Sequence, residues 1–245
     1  PRREPLPPRL AAEPPGLGNP AGIAAAVPEP LLMAEPLAFE SLEARKYFPT
    51  PVVVARLQNA AALNRDLAQA ILAREKSVTG TQHSNLGGWQ SAWDLPSWGG
   101  PAVDAVLEAV RALASRMTAD RLGKPVQIAW KLNAWANVNR HGHANEFHTH
   151  PGCYWSGTYY VDDGGAGENP AYGGEFEMQD PRGVAPAMYA PNLAFAVAGT
   201  QSVGASELIR PQAGSMILFP AWLSHAVRPY TGERLRISIA FNLSL

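Results

Sequence analysis

Apolar and polar residues alternate from Val126 onward, and this alternation predicts a half-buried β-strand. One face carries Ile128, Trp130, Leu132, Ala134 and Ala136, and the other carries Gln127, Lys131, Asn133, Trp135 and Asn137. Further short strands, separated by turn residues, are predicted at 155–161, 174–178, 207–210, 215–219, 225–228 and 235–243. Short strands joined by turns, with helices only before them, favour a mainly β domain of the sandwich or jelly-roll kind.

Two amphipathic helices precede these strands and follow a short predicted strand at 51–55. The first begins after Asn59 as N-cap and runs to about Arg74, with a stripe formed by Ala60, Leu63, Leu67 and Ile71. The second opens at Gly100-Pro101, and its stripe is formed by Val103, Leu107, Val110, Leu113 and Met117. We expect both stripes to pack against the outside of a sheet. Between the helices, three tryptophans (Trp89, Trp93 and Trp98) in a Gly-rich loop could line a pocket or simply pack.

Composition changes this picture mainly at the N-terminus, where residues 1–37 hold ten of the 23 prolines and are rich in Ala. Such a segment buries too little apolar surface to offset its ordering entropy, so we expect an extended arm. That arm could clasp another subunit in a homo-oligomer. Residues 38–245 are then one domain, with a helical flank at about 56–123 and a β core at about 126–245.

Charge and cysteine content narrow the function classes. A formal net charge of -1 gives no electrostatic case for a nucleic-acid or membrane partner, and no apolar run approaches the length of a transmembrane helix. Cys153 is the only cysteine, so no internal disulfide can form, as is usual in a reducing cytoplasm. We therefore expect a cytoplasmic protein whose substrate is a small molecule or a peptide.

Histidines carry the clearest chemical signal in the chain. Five of the six lie within residues 141–151 and 214–225. In an extended strand His148 and His150 point to the same face, so both can approach one metal ion. A third neutral imidazole from His225 would complete a facial ligand set that leaves positions open for chemistry.

The residues around these histidines resemble the two cupin motifs. Gly142, five residues and then His-x-His resembles the first motif, and Gly214-x5-Pro220-x4-His225 resembles the second. Where many cupins place a glutamate ligand this chain has Tyr154, so the match is partial. The resemblance implies a double-stranded β-helix that carries a metal in its mouth.

The last predicted strand extends the resemblance to a second, more specific family. Arg236, Ser238 and Asn242 share one face, and Arg236 lies eleven residues after His225. With the phrases at 85–91, 135–138, 148–151, 156–161 and 219–225, the chain from about residue 48 resembles a bacterial family of 2-oxoglutarate/Fe(II) oxygenases. The resemblance implies that Arg236 and Ser238, with the Tyr160 hydroxyl, hold the far carboxylate of 2-oxoglutarate. A guanidinium suits that role because it grips a carboxylate with two parallel hydrogen bonds.

The metal ligands depart from the family pattern, which is usually His-x-Asp or His-x-Glu followed by a distal His. One possibility is that all three histidines bind Fe(II). The other is that one histidine lies behind the ligands and a carboxylate such as Glu146 or Glu177 binds the metal in its place. We favour His148, His150 and His225 because their geometry needs no rearrangement, and we expect His141 and His143 to lie behind the ligands or in solvent. The implied activity uses Fe(II), 2-oxoglutarate and O2 to oxidise a substrate C–H bond, the protein positioning the substrate.

Two other functions remain open at this point. A cupin-type dioxygenase or isomerase would bind its substrate directly to the metal without 2-oxoglutarate, which leaves the Arg236-x-Ser238 pair unexplained. A non-catalytic β-sandwich module would grip a ligand with its tryptophans and keep a closed structural metal, with His141 or His143 as fourth ligand.

Overall fold

In the computed structural model the described residues are 40–200, 204 and 206–245, and every element lies in the compact unit formed by 44–245. The predicted arm at residues 1–37 falls outside the described residues. The strands are β1 (Val53–Arg56), β2 (Asn85–Leu86), β3 (Trp89–Gln90), β4 (Lys131–Asn139), β5 (Ala144–His148), β6 (Trp155–Asp162), β7 (Phe176–Met178), β8 (Glu207–Ile209), β9 (Ser215–Pro220), β10 (His225–Val227) and β11 (Arg236–Ser244). The helices are α1 (Ala60–Ser77), α2 (Leu95–Trp98), α3 (Gly100–Arg116) and α4 (Ala185–Tyr189), with one 3-10 turn at Pro170–Tyr172.

The strands form two antiparallel sheets, so the predicted mainly β architecture is confirmed. The larger sheet has the order β1-β9-β6-β11-β4-β3, and the smaller has the order β2-β5-β10-β7-β8. β11 lies at the centre of the larger sheet because it pairs along its length with both β4 and β6. Apart from β3-β4 and β7-β8, neighbouring strands are not consecutive in the chain, which is typical of a jelly-roll connection rather than a meander.

The helices pack on one face of the larger sheet, as their stripes predicted. Leu67 and Ile71 of α1 and Val103 of α3 are fully buried in one cluster with the apolar face of β4 and β11. That strand face includes Ala134, Ala136, Ile237, Ile239 and Phe241. The opposite face of the same strands is therefore free to face the second sheet.

Local details differ from the pattern-based expectations. The alternation starts at Val126, yet the strand starts at Lys131, because the first residue with a partner in β11 is Lys131, opposite Ser244. Asn59 does precede α1, but its backbone is left-handed with φ 53° and its side chain makes no capping hydrogen bond. The Gly-rich loop holds β2, β3 and α2, which are too short for any periodicity to reveal. No helix among the described residues is long and apolar enough to cross a membrane.

Candidate metal and co-substrate site

A cavity of about 410 Å³ lies between the inner faces of the two sheets. Its floor is formed by the polar faces of β4 and β11, and its opposite wall by β5, β7 and β10. Every second residue of β11 from Arg236 to Asn242 lines the cavity, as do Asn133, Trp135 and Asn137 of β4. The alternation in the sequence thus predicted which residues of β4 and of β11 share the face that lines the cavity.

The three predicted ligand histidines meet at one point in this cavity. His148 ends β5 and His225 begins β10, and these two residues are directly paired across the smaller sheet. His150 lies two residues beyond β5, where its backbone N–H donates to Ala221 O at 2.9 Å. One ring nitrogen from each imidazole lies within 4.8 Å of the other two, an arrangement able to hold a metal ion.

Hydrogen bonds orient two of these imidazoles. The Nδ1 of His148 lies 2.7 Å from Glu146 O, and the Nδ1 of His225 lies 2.8 Å from Leu223 O. A carbonyl oxygen only accepts, so each Nδ1 carries the proton and donates it. Each Nε2 is then unprotonated, as is usual for metal-binding histidines with a backbone partner behind them, and that of His148 lies 3.5 Å from Ser84 Oγ.

Burial keeps the cluster uncharged. Desolvation lowers the pKa of His148, lowers that of His150 to about 4 and lowers that of His225 to about 3, with repulsion from neighbouring imidazoles adding to the effect at His150 and His225. Phe176 and Phe219 contribute to this apolar environment, with ring centroids 5.1 and 4.5 Å from that of His225. The imidazoles are therefore in the neutral form that binds metals.

The other candidate ligands lie elsewhere. His141 is exposed, with its Nδ1 2.9 Å from Thr231 O, and the Nδ1 of His143 accepts from the backbone N–H of Arg140 at 2.9 Å. Glu146 is exposed, and Glu177 forms an ion pair with Arg228 at 3.1 Å. Within the described part of the chain, the three histidines are the one group of His, Cys, Asp or Glu placed to share an ion.

Arg236 lies at one end of the cavity and has no acidic partner among the described residues. It is 2% exposed, and its guanidinium reaches only the neutral oxygens of Asn139, at 3.4 Å, and Gly174, at 3.3 Å. Its Nε has no hydrogen-bond partner in the described structure. Gly174 is required there because its φ is +74° and a Cβ would stand 3.3 Å from that Nε. A buried guanidinium without an anion is costly, so this end of the cavity is suited to an anionic ligand.

Ser238 and Tyr160 lie beside Arg236 as the resemblance implied. They face each other across β11 and β6, and the guanidinium carbon lies 5.2 Å from the centroid of the Tyr160 ring. The Tyr160 hydroxyl is buried and unpaired in the described structure. Burial raises the pKa of Tyr160 despite the opposing effect of Arg236, so the hydroxyl stays protonated and can donate a hydrogen bond.

The tryptophans of the loop have different roles. Trp93 lines the cavity, 55% exposed and stacked on His83 with ring centroids 5.3 Å apart. Trp89 packs in the core with its indole N–H on Val78 O, and Trp98 bonds Asp94. Cys153 also lines the cavity, and burial raises the pKa of its thiol, which is therefore neutral.

Asparagines in the cavity were missed as site residues by sequence reasoning, apart from the placement of Asn242 on the inner face. Asn133, Asn137, Asn139, Asn145 and Asn242 all line it. The available signal was that Asn133, Asn137 and Asn139 share one face of β4, but a polar strand face is equally typical of a solvated surface.

Comparisons with solved structures show the fold to be the double-stranded β-helix. A prolyl-4-hydroxylase from Pseudomonas putida is 18% identical with a TM-score of 0.56, covering 80% of this chain and 92% of that one. A prolyl hydroxylase from Trichoplax adhaerens, in complex with a hypoxia inducible factor peptide fragment, is 14% identical with a TM-score of 0.54, covering 79% and 83%. HygX from Streptomyces hygroscopicus, with nickel and 2-oxoglutarate bound, is 13% identical with a TM-score of 0.53, covering 80% and 83%.

The class of protein follows from this fold together with the sequence family. The chain is a 2-oxoglutarate- and Fe(II)-dependent oxygenase, which uses Fe(II), 2-oxoglutarate and O2. Residues 133–242 match the model of the family described as "Putative 2OG-Fe(II) oxygenase", and this segment contains His148, His150, His225 and Arg236. No curated protein matches the chain. The fold, the oxygenase class and the cofactors implied by the resemblance are therefore confirmed.

Proposed function

We propose that the protein oxidises a C–H bond of its substrate in a hydroxylase-type reaction, with Fe(II) held by His148, His150 and His225. Arg236, Ser238 and Tyr160 would hold the far carboxylate of 2-oxoglutarate. The observation that carries the proposal is the buried guanidinium of Arg236, which faces the same cavity as the histidines and has no acidic partner among the described residues. A dicarboxylic co-substrate supplies both a metal-chelating end and the missing anion.

The chain's own residues account for binding, orientation and exclusion of water. Bound Fe(II) would supply the redox chemistry, in which O2 and 2-oxoglutarate give succinate and CO2 while one oxygen atom enters the substrate C–H bond. Arg236 neutralises the far carboxylate, and the neutral Tyr160 hydroxyl donates to it. Phe176 and Phe219 pack beside His225 and keep water from that side of the cluster. The backbone carbonyls behind His148 and His225 hold both imidazoles in the ligating tautomer.

We also propose a cytoplasmic location and a substrate that is either a small molecule or a peptide. The support for the location is compositional, because Cys153 is the only cysteine and gives no internal disulfide. The support for the substrate is the net charge of -1, which offers no attraction to nucleic acid or to an anionic membrane.

The direct test of the proposed activity is turnover of 2-oxoglutarate. Iron-loaded protein in air should form succinate slowly even without a substrate, because uncoupled decarboxylation needs only the metal, the co-substrate and O2. Succinate is measured by chromatography against a metal-free control. If iron-loaded protein binds 2-oxoglutarate yet forms no succinate, the oxygenase activity is contradicted and a binding role remains.

Tyr160→Phe should weaken 2-oxoglutarate binding by about 2- to 12-fold, the range expected for the loss of one hydrogen bond. The matched control is Tyr159→Phe, because the Tyr159 hydroxyl donates to Asn64 Oδ1 at 2.6 Å on the helix-facing side of the same strand. That control should lower the melting temperature and leave 2-oxoglutarate affinity unchanged. Calorimetric titration with 2-oxoglutarate measures its affinity for both variants and for the unaltered protein. If Tyr160→Phe binds 2-oxoglutarate as tightly as the unaltered protein, Tyr160 is not part of the carboxylate site.

Metal affinity should change little between about pH 6.5 and 5.5. The depressed pKa values of His150, about 4, and His225, about 3, mean that neither must lose a proton to bind metal in that range. A competition titration with Co(II) should release at most about one proton per metal there, whereas unperturbed imidazoles with a pKa near 6.5 would release more. The metal-free protein should also lose stability as pH falls below about 6.5, because its unfolded histidines then bind more protons than the buried ones do.

A further inference from the structure

We propose that the cavity binds its substrate through an uncharged primary amide group, held by Asn133 and Asn242 on the side of the histidines away from Arg236. This inference rests on the function proposed above, and it names the chemical class of the substrate that the same cavity takes.

The first observation is a pair of buried oxygens without partners. Asn133 Oδ1 and Asn242 Oδ1 are both buried, and neither has a hydrogen-bond partner in the described structure. The two residues are direct neighbours across β4 and β11, and Asn242 is 8% exposed. Both line the cavity. A buried polar atom without a partner is destabilising, so two of them side by side indicate a place where a ligand supplies the missing donors.

These asparagines lie too far from Arg236 to serve the co-substrate. Arg236 and Asn242 are the first and the seventh residues of β11, which places their Cα atoms about 20 Å apart in an antiparallel strand. The guanidinium stays near its own end of the strand, where it reaches Asn139 and Gly174. The four carbon–carbon bonds of 2-oxoglutarate, at about 1.5 Å each, span at most about 6 Å. A second ligand must therefore reach Asn133 and Asn242.

The histidines lie between these two ends of the cavity. The ring of His150 is 6.0 Å from that of Trp135, which pairs with Ala240 near the middle of β11. The ring of His225 is 4.5 Å from that of Phe219, which pairs with Ser156 opposite Asn242. A group bound at Asn242 consequently lies beside the histidine cluster, where a substrate must be for oxidation.

Charge decides what kind of group fits. Among the described residues that line the cavity, Arg236 is the only Asp, Glu, Lys or Arg, and the co-substrate neutralises it. A second carboxylate or an ammonium group buried at Asn242 would have no counter-ion, which is costly. The two unpaired asparagine oxygens need two donors, and the NH2 of an uncharged primary amide supplies both, while its C=O can accept from an asparagine Nδ2. A lone hydroxyl would leave one of the asparagines unpaired.

The mouth of the cavity suits the apolar part of such a substrate. An isolated bridge joins Asp94 to Ala134, so the loop that carries Trp93 runs beside Asn133. The Trp93 ring is 6.2 Å from that of Trp135 and remains more than half exposed. An indole face next to two carboxamides can pack against the flat, apolar flank of an amide while the asparagines bind its polar atoms.

The test uses Zn(II)-loaded protein saturated with 2-oxoglutarate, because zinc has no redox chemistry and binding is then observed without turnover. The probes are N-acetyl amino acid amides and the matching N-acetyl amino acids with a free carboxylate, with binding followed by saturation-transfer NMR. We expect amides to bind at least tenfold more tightly than their carboxylates. If 2-oxoglutarate binds but no amide does, or if carboxylates bind as well as amides, the amide site is contradicted while the co-substrate site stands. Failure of 2-oxoglutarate itself to bind would instead contradict the proposed function.

Two matched variants separate a binding role from a structural one. Asn242→Leu should lose amide binding, keep 2-oxoglutarate affinity within about threefold, and melt a few degrees higher because an unpaired buried oxygen is removed. Asn64→Leu removes an asparagine whose Oδ1 is paired with Tyr159, so it should melt lower and bind amides normally. Asn133→Ser, a smaller change at the neighbouring position, should also weaken amide binding. Unchanged amide affinity in Asn242→Leu and Asn133→Ser would overturn the proposal.

Discussion

Arg236→Leu should greatly weaken 2-oxoglutarate binding and leave metal binding intact. The guanidinium is 2% exposed, so its pairing with a carboxylate is shielded from water. Truncating one member of a buried charge pair costs about 2–5 kcal/mol, which corresponds to roughly 30- to 4,000-fold in affinity. The measurement is calorimetric titration of the Fe(II) protein with 2-oxoglutarate under anaerobic conditions, with metal content determined on the same sample.

Arg234→Leu is the matched control for this change. Arg234 lies two residues earlier, is exposed, and pairs with Asp162 at 3.3 Å. An exposed ion pair of this kind contributes little, so the control should bind 2-oxoglutarate within a factor of about three of the unaltered protein. If Arg236→Leu retains full affinity and Arg234→Leu loses it, the carboxylate anchor has been assigned to the wrong arginine.

Removing any one of the three histidines should nearly eliminate metal binding. We expect His148→Ala, His150→Ala and His225→Ala each to lower Fe(II) affinity by more than about 100-fold, because even the groups that orient metal ligands are typically worth 10- to 100-fold. His141→Ala is the control, since His141 is exposed and contacts only Thr231 O with its ring. Metal content after anaerobic loading and desalting measures the difference.

His150→Ala is the most informative of these variants. Most related oxygenases have a carboxylate at the equivalent step of the His-x-Asp or His-x-Glu motif, whereas this chain has a third imidazole. Stoichiometric iron in His150→Ala would show that a carboxylate completes the ligand set. The carboxylates to examine are then Glu146, which is exposed, and Glu177, which is paired with Arg228.

The sequence predicted the inner face of the cavity because strand alternation is a local property. Placing Arg236, Ser238 and Asn242 on one face required only a period of two, and the structure shows all three lining the cavity. The same period predicted that His148 and His150 meet, and their ring centroids are 5.0 Å apart, although His150 lies two residues beyond the end of β5. His225 came from motif resemblance, since nothing local in the sequence shows that it pairs with His148.

Features that depend on register between distant strands could not be predicted. Asn133 and Asn242 are neighbours only because β4 and β11 pair in one particular register, and periodicity does not report register. The two-residue strands β2 and β3 depend on tertiary pairing with β5 and β4, because segments so short have no pattern of their own. The left-handed backbone at Asn59 likewise depends on how α1 joins β1, and its side chain showed only a generic capping preference.

The most direct test of the central claim is the visible absorption of the anaerobic Fe(II) protein during titration with 2-oxoglutarate. Chelation of the co-substrate by iron held in this cavity should produce a charge-transfer band that saturates at one equivalent per chain. The band should require intact His148, His150 and His225, and Arg236→Leu should show it only at far higher 2-oxoglutarate concentrations. Iron-loaded protein that develops no band at any 2-oxoglutarate concentration would contradict the assignment of this cavity as the metal and co-substrate site.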